Sequence, residues 1–169
     1  MSKLATITLY KTLVLASIDA QTFKRVDGVL SAESDQMKNA LSSDSDENLD
    51  KYILHEHMEK RDANLRRRLT FCLVSESGVL AASNILKVDE PTFDYDLMVP
   101  DTFDQQRLQS LARKMHDYMV QGSLYDWYAT QNMKGNVSAT ELEDMESEIV
   151  SMLRPSCVKR PLQPFGPRN

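Results

Sequence analysis

Two apolar stripes at helical spacing in the last third of the chain constrain the fold most. Leu108, Leu111, Ala112, Met115, Tyr118 and Met119 recur at i, i+3, i+4 and i+7, which puts them on one face of an amphipathic helix. Pro100 and Asp101 stand ahead of it as a start signal, and Gly122 marks where it is expected to end or kink. "SLYDWYATQNM" continues as a short helix with Leu124, Trp127, Tyr128 and Gln131 on one face, closed by Gly135. "SATE" at 138–141 is a capping box, with Ser138 as N-cap and Glu141 reaching back to it. Leu142, Met145, Ile149, Met152 and Leu153 form the second stripe, which Pro155 stops.

Upstream the period changes. A helix over about 47–69 carries Leu49, Ile53, Leu54, Met58, Leu65 and Leu69 toward a core. "LTFCLVSE", Ser77-Gly78 and "VLAASNILKVD" read as two strands joined by a tight turn. In "TFDYDLMV", Phe93, Tyr95 and Leu97 alternate with Asp94 and Asp96, the period of a half-buried strand. Three adjacent strands would make a small antiparallel sheet. The segment from Thr6 to Val26 is rich in β-branched and apolar residues, and "TLVLASI" with "TFKRV" suggests a hairpin. "SAESDQMKNAL" (31–41) suggests a short helix, followed by a polar break in which Asp44 stands three residues before Glu47. The expected fold class is α+β: a mainly helical bundle with a small antiparallel sheet and an extended C-terminal arm. It divides into an N-terminal hairpin and short-helix region (1–45), a helical core with the sheet (46–154) and the arm (155–169).

Composition narrows the function class. The 169 residues fit one domain, 41% apolar and 27% charged, as in an ordinary globular protein. A net charge of −5 argues against a general nucleic-acid binder. Cys72 and Cys157 are two lone cysteines, which suits a reducing compartment. Lys11 and polar residues interrupt the N-terminal apolar run, and no stretch approaches the roughly 20 apolar residues of a membrane span. Charge is segregated: "ELEDMESE" (141–148) holds five acids and no base, whereas "RRR" (66–68) and the C-terminus are basic. Opposite patches of this kind suit self-association or docking.

Signals for chemistry are few. His55 and His57 in "HEH" lie two apart, roughly 200° around a helix, so they do not share an ion; they read as exposed or interfacial histidines. Asp94 and Asp96 share a strand face and read as a solvent-facing pair opposite Phe93 and Tyr95 rather than as a cation site. Arg66, Arg67 and Arg68 are candidate contacts for a DNA backbone, carrying no sequence information, although adjacent arginines fan around a helix. Tyr125, Trp127 and Tyr128 read as core or interface aromatics. Neither a phosphate-cradling glycine loop nor a nucleophile elbow is present. The sequence therefore calls for no enzyme, cofactor or metal.

The thirteen residues "CVKRPLQPFGPRN" lie beyond the last apolar stripe and hold no acid. Pro161, Pro164 and Pro167 remove backbone donors and fix φ, excluding helix and central strand. A rigid, basic, extended arm that carries Leu162 and Phe165 reads as a partner-docking segment.

The order of features over roughly 46–169 resembles the head–tail connector, or adaptor, proteins of tailed bacteriophages. That resemblance rests on a helix, a few strands, a "PDTFD"-capped helix, the aromatic "LYDWY", a last amphipathic helix and "KRPLQPFGPRN". It implies a structural virion protein assembled in the host cytoplasm, forming a homo-oligomeric ring, dodecameric in type, between the portal protein and the tail or neck proteins. Such a ring extends the DNA channel, and the resemblance implies that the arm at 155–169 docks on the portal. In that role Leu162 and Phe165 would be apolar anchors, prolines such as Pro161 and Pro164 would reduce the ordering cost, and Lys159, Arg160 and Arg168 would meet acidic partner surface. The rival classes are a helical scaffold or regulatory protein whose arm docks a partner, and a small enzyme.

Overall fold

The computed structural model describes residues 2–29, 48–74, 90–133, 135 and 137–154. Strand β1 (Ser2–Tyr10) alternates inward Ala5, Ile7 and Leu9 with outward Leu4, Thr6, Thr8 and Tyr10. It runs directly into helix α1 (Lys11–Val29), and the backbone N–H of Lys11 donates to the Pro91 carbonyl at 2.9 Å. Then follow α2 (Asn48–Leu69), β2 (Thr92–Pro100), α3 (Gln105–Thr130) and α4 (Ala139–Leu153). The class is the expected one, α+β and mainly helical.

β1 and β2 pair antiparallel over their full nine residues, from Ser2 opposite Pro100 to Tyr10 opposite Thr92. On the far side of β2, Leu73 makes a bridge to Leu97, with the Val74 N–H donating to the Asp96 carbonyl and the Met98 N–H to the Cys72 carbonyl. The strand at 92–99 is thus present, but its long partner is the N-terminal strand. Of "LTFCLVSE", Leu69 ends α2, a turn follows, and Leu73 makes the bridge. The turn at Ser77-Gly78, the second strand over 79–89, the helix at 31–41 and the Asp44–Glu47 cap lie outside the described residues.

The hairpin expected at 12–26 is a helix. Val14, Ile18 and Thr22 are fully buried and recur every four residues, with Leu15 beside them, so the β-branched run serves one helical face. Packing against α3 and the sheet overrides its strand propensity.

α3 is the spine. Its 26 residues span roughly 39 Å at 1.5 Å per residue, and α1, α2, α4 and β1 all contact it. Leu111, Met115, Tyr118 and Met119 are fully buried, as are Leu54, Met58 and Leu65 of α2 and Ile149 of α4. The expected break at Gly122 does not occur: α3 is continuous to Thr130. Its N-cap is Asp104, whose carboxylate accepts from the Arg107 N–H at 2.8 Å, three residues later than the Pro100-Asp101 signal. At its end Asn132 takes the left-handed turn at φ 54° that was expected of Gly135. The capping box at Ser138 and Glu141 is formed in both directions, and α4 stops at Leu153, ahead of Pro155.

Candidate functional site

Three carboxylates fasten α2 to its neighbours, and each accepts from two or more side chains. Between α2 and α3, the Arg61 guanidinium donates to Asp126 Oδ2 through Nε at 2.9 Å and lies 2.7 Å from it through Nη2. Lys60 Nζ donates to Asp126 Oδ1 at 2.9 Å. Arg61 and Asp126 are both buried, and a buried pair of this kind holds only with good geometry. The pair explains Gly122, where a Cβ would stand 2.6 Å from Arg61 Cδ. Glycine lets the arginine cross α3 there.

Between α2 and β2, Asp62 accepts from the Tyr95 hydroxyl and from Arg66 Nε. Arg66 also donates through Nη2 to the Asp94 carbonyl at 2.9 Å, its guanidinium 4.6 Å above the Tyr95 ring. Burial pushes the Tyr95 hydroxyl well above its ordinary range, and Asp62 adds to this. Between α4 and helices α2 and α3, Glu146 accepts from the Tyr118 hydroxyl at 2.6 Å and from Arg68 Nε at 2.9 Å. Burial raises the Tyr118 hydroxyl too, reinforced by Glu146.

The three adjacent arginines therefore fan as the helix requires. Arg66 turns to the sheet and Arg68 to α4, and Arg67 is exposed. They do not make one row. Asp94 and Asp96 share the outer sheet face, where they accept from the cross-strand hydroxyls of Thr8 and Thr6, each at 2.6 Å. Trp127 and Tyr128 are core, and Tyr125 is half-buried.

The histidines differ from expectation. His55 and His57 are both buried, because α2 packs on more than one side. Among the described residues His55 Nδ1 and His57 Nε2 find no partner. Burial, then Lys11 and Lys51, lowers the His55 pKa; burial lowers that of His57 against a raising effect of Asp126. No group of three or more His, Cys, Asp or Glu that could hold a metal ion occurs among the described residues. Burial pushes the Cys72 thiol up to about 11 and its Sγ donates to the Leu69 carbonyl, so it is an inert core thiol. Lys159, Arg160, Pro161, Leu162, Pro164, Phe165 and Arg168 of the arm lie outside the described residues.

Two surfaces stand out. The first is the sheet's N-terminal corner. β1 pairs on one side only among the described residues, leaving a row of backbone donors and acceptors. Beside it lies a groove of about 350 Å³ lined by Lys3, Ala5, Val99, Phe103 and Leu108. On the outer face, the cross-strand partners Leu4 and Met98 are 60% and 43% exposed, with Val74 also exposed on the neighbouring segment. The alternation of Ala5, Ile7 and Leu9 with Thr6, Thr8 and Tyr10 was the available sequence signal for this strand. The second is a cavity of about 340 Å³ where α2 and α4 end, lined by Arg67, Arg68, Glu146, Ser147, Ser151 and Arg154, with Val150. A third hollow, near Lys11 and Arg66, has both of these cations engaged by carboxylates, in the pairs Lys11–Glu59 and Arg66–Asp62. No helix among the described residues is long and apolar enough to cross a membrane. No protein-family model, no curated protein and no solved structure matches the chain.

Proposed function

We propose that the chain is a non-enzymatic assembly subunit: a ring-forming, head–tail connector type of virion protein that joins portal to tail and extends the DNA channel. The observation that supports this reading is the corner of the sheet. An edge unpaired among the described residues, an adjoining groove and the exposed Leu4 and Met98 converge there. An edge strand left open invites pairing with another chain. Covering the parts of Leu4 and Met98 that are still exposed would contribute about 1 kcal/mol each. A ring needs unlike surfaces on each subunit, and this apolar corner differs in chemistry from the arginine-lined cavity at the ends of α2 and α4. The dodecameric count and the portal-docking arm, with Leu162 and Phe165 as anchors and Lys159, Arg160 and Arg168 as its charges, come from the resemblance to connector proteins.

Mass in solution and negative-stain imaging test the reading. Rings are expected for the full chain, and Leu4→Lys with Met98→Lys should return monomers of unchanged helicity. A chain that stays monomeric or dimeric at micromolar concentration would count for a scaffold or regulatory protein instead. Deleting 156–169 should abolish attachment to the portal with helical circular dichroism nearly unchanged, and retained attachment would remove the arm from the account.

A further inference from the structure

Among the described residues, the cavity at the ends of α2 and α4 presents three guanidinium groups against one carboxylate. That carboxylate is already engaged. Glu146 accepts from the Tyr118 hydroxyl on one oxygen and from Arg68 Nε on the other, and it is buried. Arg68 is thereby fixed by one edge of its guanidinium, while its side chain remains 52% exposed. A guanidinium has five N–H donors in a planar fork, so the Arg68 amino groups stay available once Nε is committed. Arg154 caps α4, its guanidinium 5.9 Å from the ring of the half-exposed Phe71. Arg67 is exposed, and Ser147 adds a hydroxyl on the same wall, one turn before Ser151, whose own hydroxyl donates to the Glu148 carbonyl at 2.7 Å.

The ends of two helices attract cations through their unsatisfied carbonyls, which gives one reason for arginine at each end. It does not explain why Arg68 turns to Glu146 and Arg154 leans over Phe71, so that three forks border one cavity. Forked donors beside a hydroxyl match the tetrahedral, multiply accepting oxygens of a phosphate group.

The geometry points to a phosphate-binding site formed by Arg67, Arg68 and Arg154 with Ser147, taking a phosphate group of a nucleic-acid backbone or of a small phosphorylated ion. Arg66, equally basic in sequence, is outside it, held on the sheet side by Asp62 and the Asp94 carbonyl. The site does not depend on the assembly reading, which bears only on the source of the phosphate.

The test uses the full chain with two probes at low ionic strength: pyrophosphate by titration calorimetry, and a short labelled DNA duplex by fluorescence anisotropy. Arg67→Gln/Arg154→Gln should weaken whichever probe binds by about tenfold or more per arginine, with unchanged circular dichroism. For the duplex, each lost contact should also lower the salt slope by about 1. Arg66→Gln and Arg113→Gln, outside the cavity, should leave binding as it was. Binding of pyrophosphate alone assigns a small phosphate; binding of both assigns a backbone. Failure of the wild-type chain to bind either probe, or equal binding by the double variant, overturns the site. Rings without phosphate binding would overturn this inference alone, and phosphate binding by a persistent monomer would overturn the assembly reading alone.

Discussion

Replacing Gly122 by alanine sets two physical rules against each other. Helix propensity alone says that alanine in the middle of α3 gains about 1 kcal/mol. In the structure the added Cβ would meet Arg61 Cδ at 2.6 Å, Nε at 2.8 Å and Cγ at 3.0 Å. The side chain is not free to swing away, because Asp126 holds it through two contacts at 2.7 and 2.9 Å. Moving it breaks one side of a buried ion pair, which costs about 3–5 kcal/mol. The net expectation is a loss of about 2–4 kcal/mol, or a fall in Tm of roughly 5–15 °C for a chain of this size. Urea unfolding followed by circular dichroism measures it. In an Arg61→Ala/Asp126→Ala background the obstacle is gone, and Gly122→Ala should then stabilise by about 1 kcal/mol. A single Gly122→Ala variant that unfolds at a higher urea concentration than wild type would refute the reasoning.

Two further outcomes follow from buried and capping groups. The folded-state pKa values of His55 and His57 lie below the ordinary 6.5, so the unfolded chain takes up their protons first. Stability should be full above about pH 6.5 and fall as the pH drops below it, by up to about 1.4 kcal/mol per pH unit for each histidine. Chemical unfolding at pH 7.5 and 5.5 reads the loss, and His55→Gln/His57→Gln should flatten it; an unchanged slope in the variant would contradict the assignment. Ser138→Ala removes the hydroxyl half of the capping box on α4, the acceptor of the Glu141 N–H, and should lower Tm by about 2–4 °C, with Glu141→Gln milder because its amide can still accept from the Ser138 N–H.

The parts of the fold that were legible in sequence are those whose apolar residues keep one period for several turns. α2, β2, α3 and α4 each do so, and the Ser138 cap is read from four consecutive residues. α1 was misread because "TLVLASI" is dense in β-branched residues. Its helical spacing shows only when Thr22, a polar residue, is counted with Val14 and Ile18 in the buried stripe. Gly122 was misread for a related reason. A glycine in a helical pattern signals either a break or a close approach, and the deciding group was Arg61, on another helix. β1 finds its partner in β2 across the length of α1 and α2, a pairing that no local pattern specifies.

The arginine-lined cavity carries the same lesson at the level of charge. "RRR" was visible as a basic run, yet its three members have different fates, decided by Asp62, Asp94 and Glu146 on three different elements. The acidic run 141–148 was equally visible as a patch of one sign. Its fourth acid, Glu146, is however turned inward, where it accepts from the Tyr118 hydroxyl and fixes Arg68. Removing that carboxylate would therefore not make the cavity a better anion site merely by raising its positive charge. Arg68 would lose the contact that orients its fork, and the Tyr118 hydroxyl would be left buried without its acceptor, at a cost of about 1–3 kcal/mol. Glu146→Gln keeps one acceptor oxygen, which can stay with the Tyr118 hydroxyl while the amide NH2 faces Arg68 Nε, so it should retain the fold while loosening Arg68. Net charge and orientation then make opposite demands on phosphate affinity, and a weaker-binding Glu146→Gln variant would show that orientation prevails.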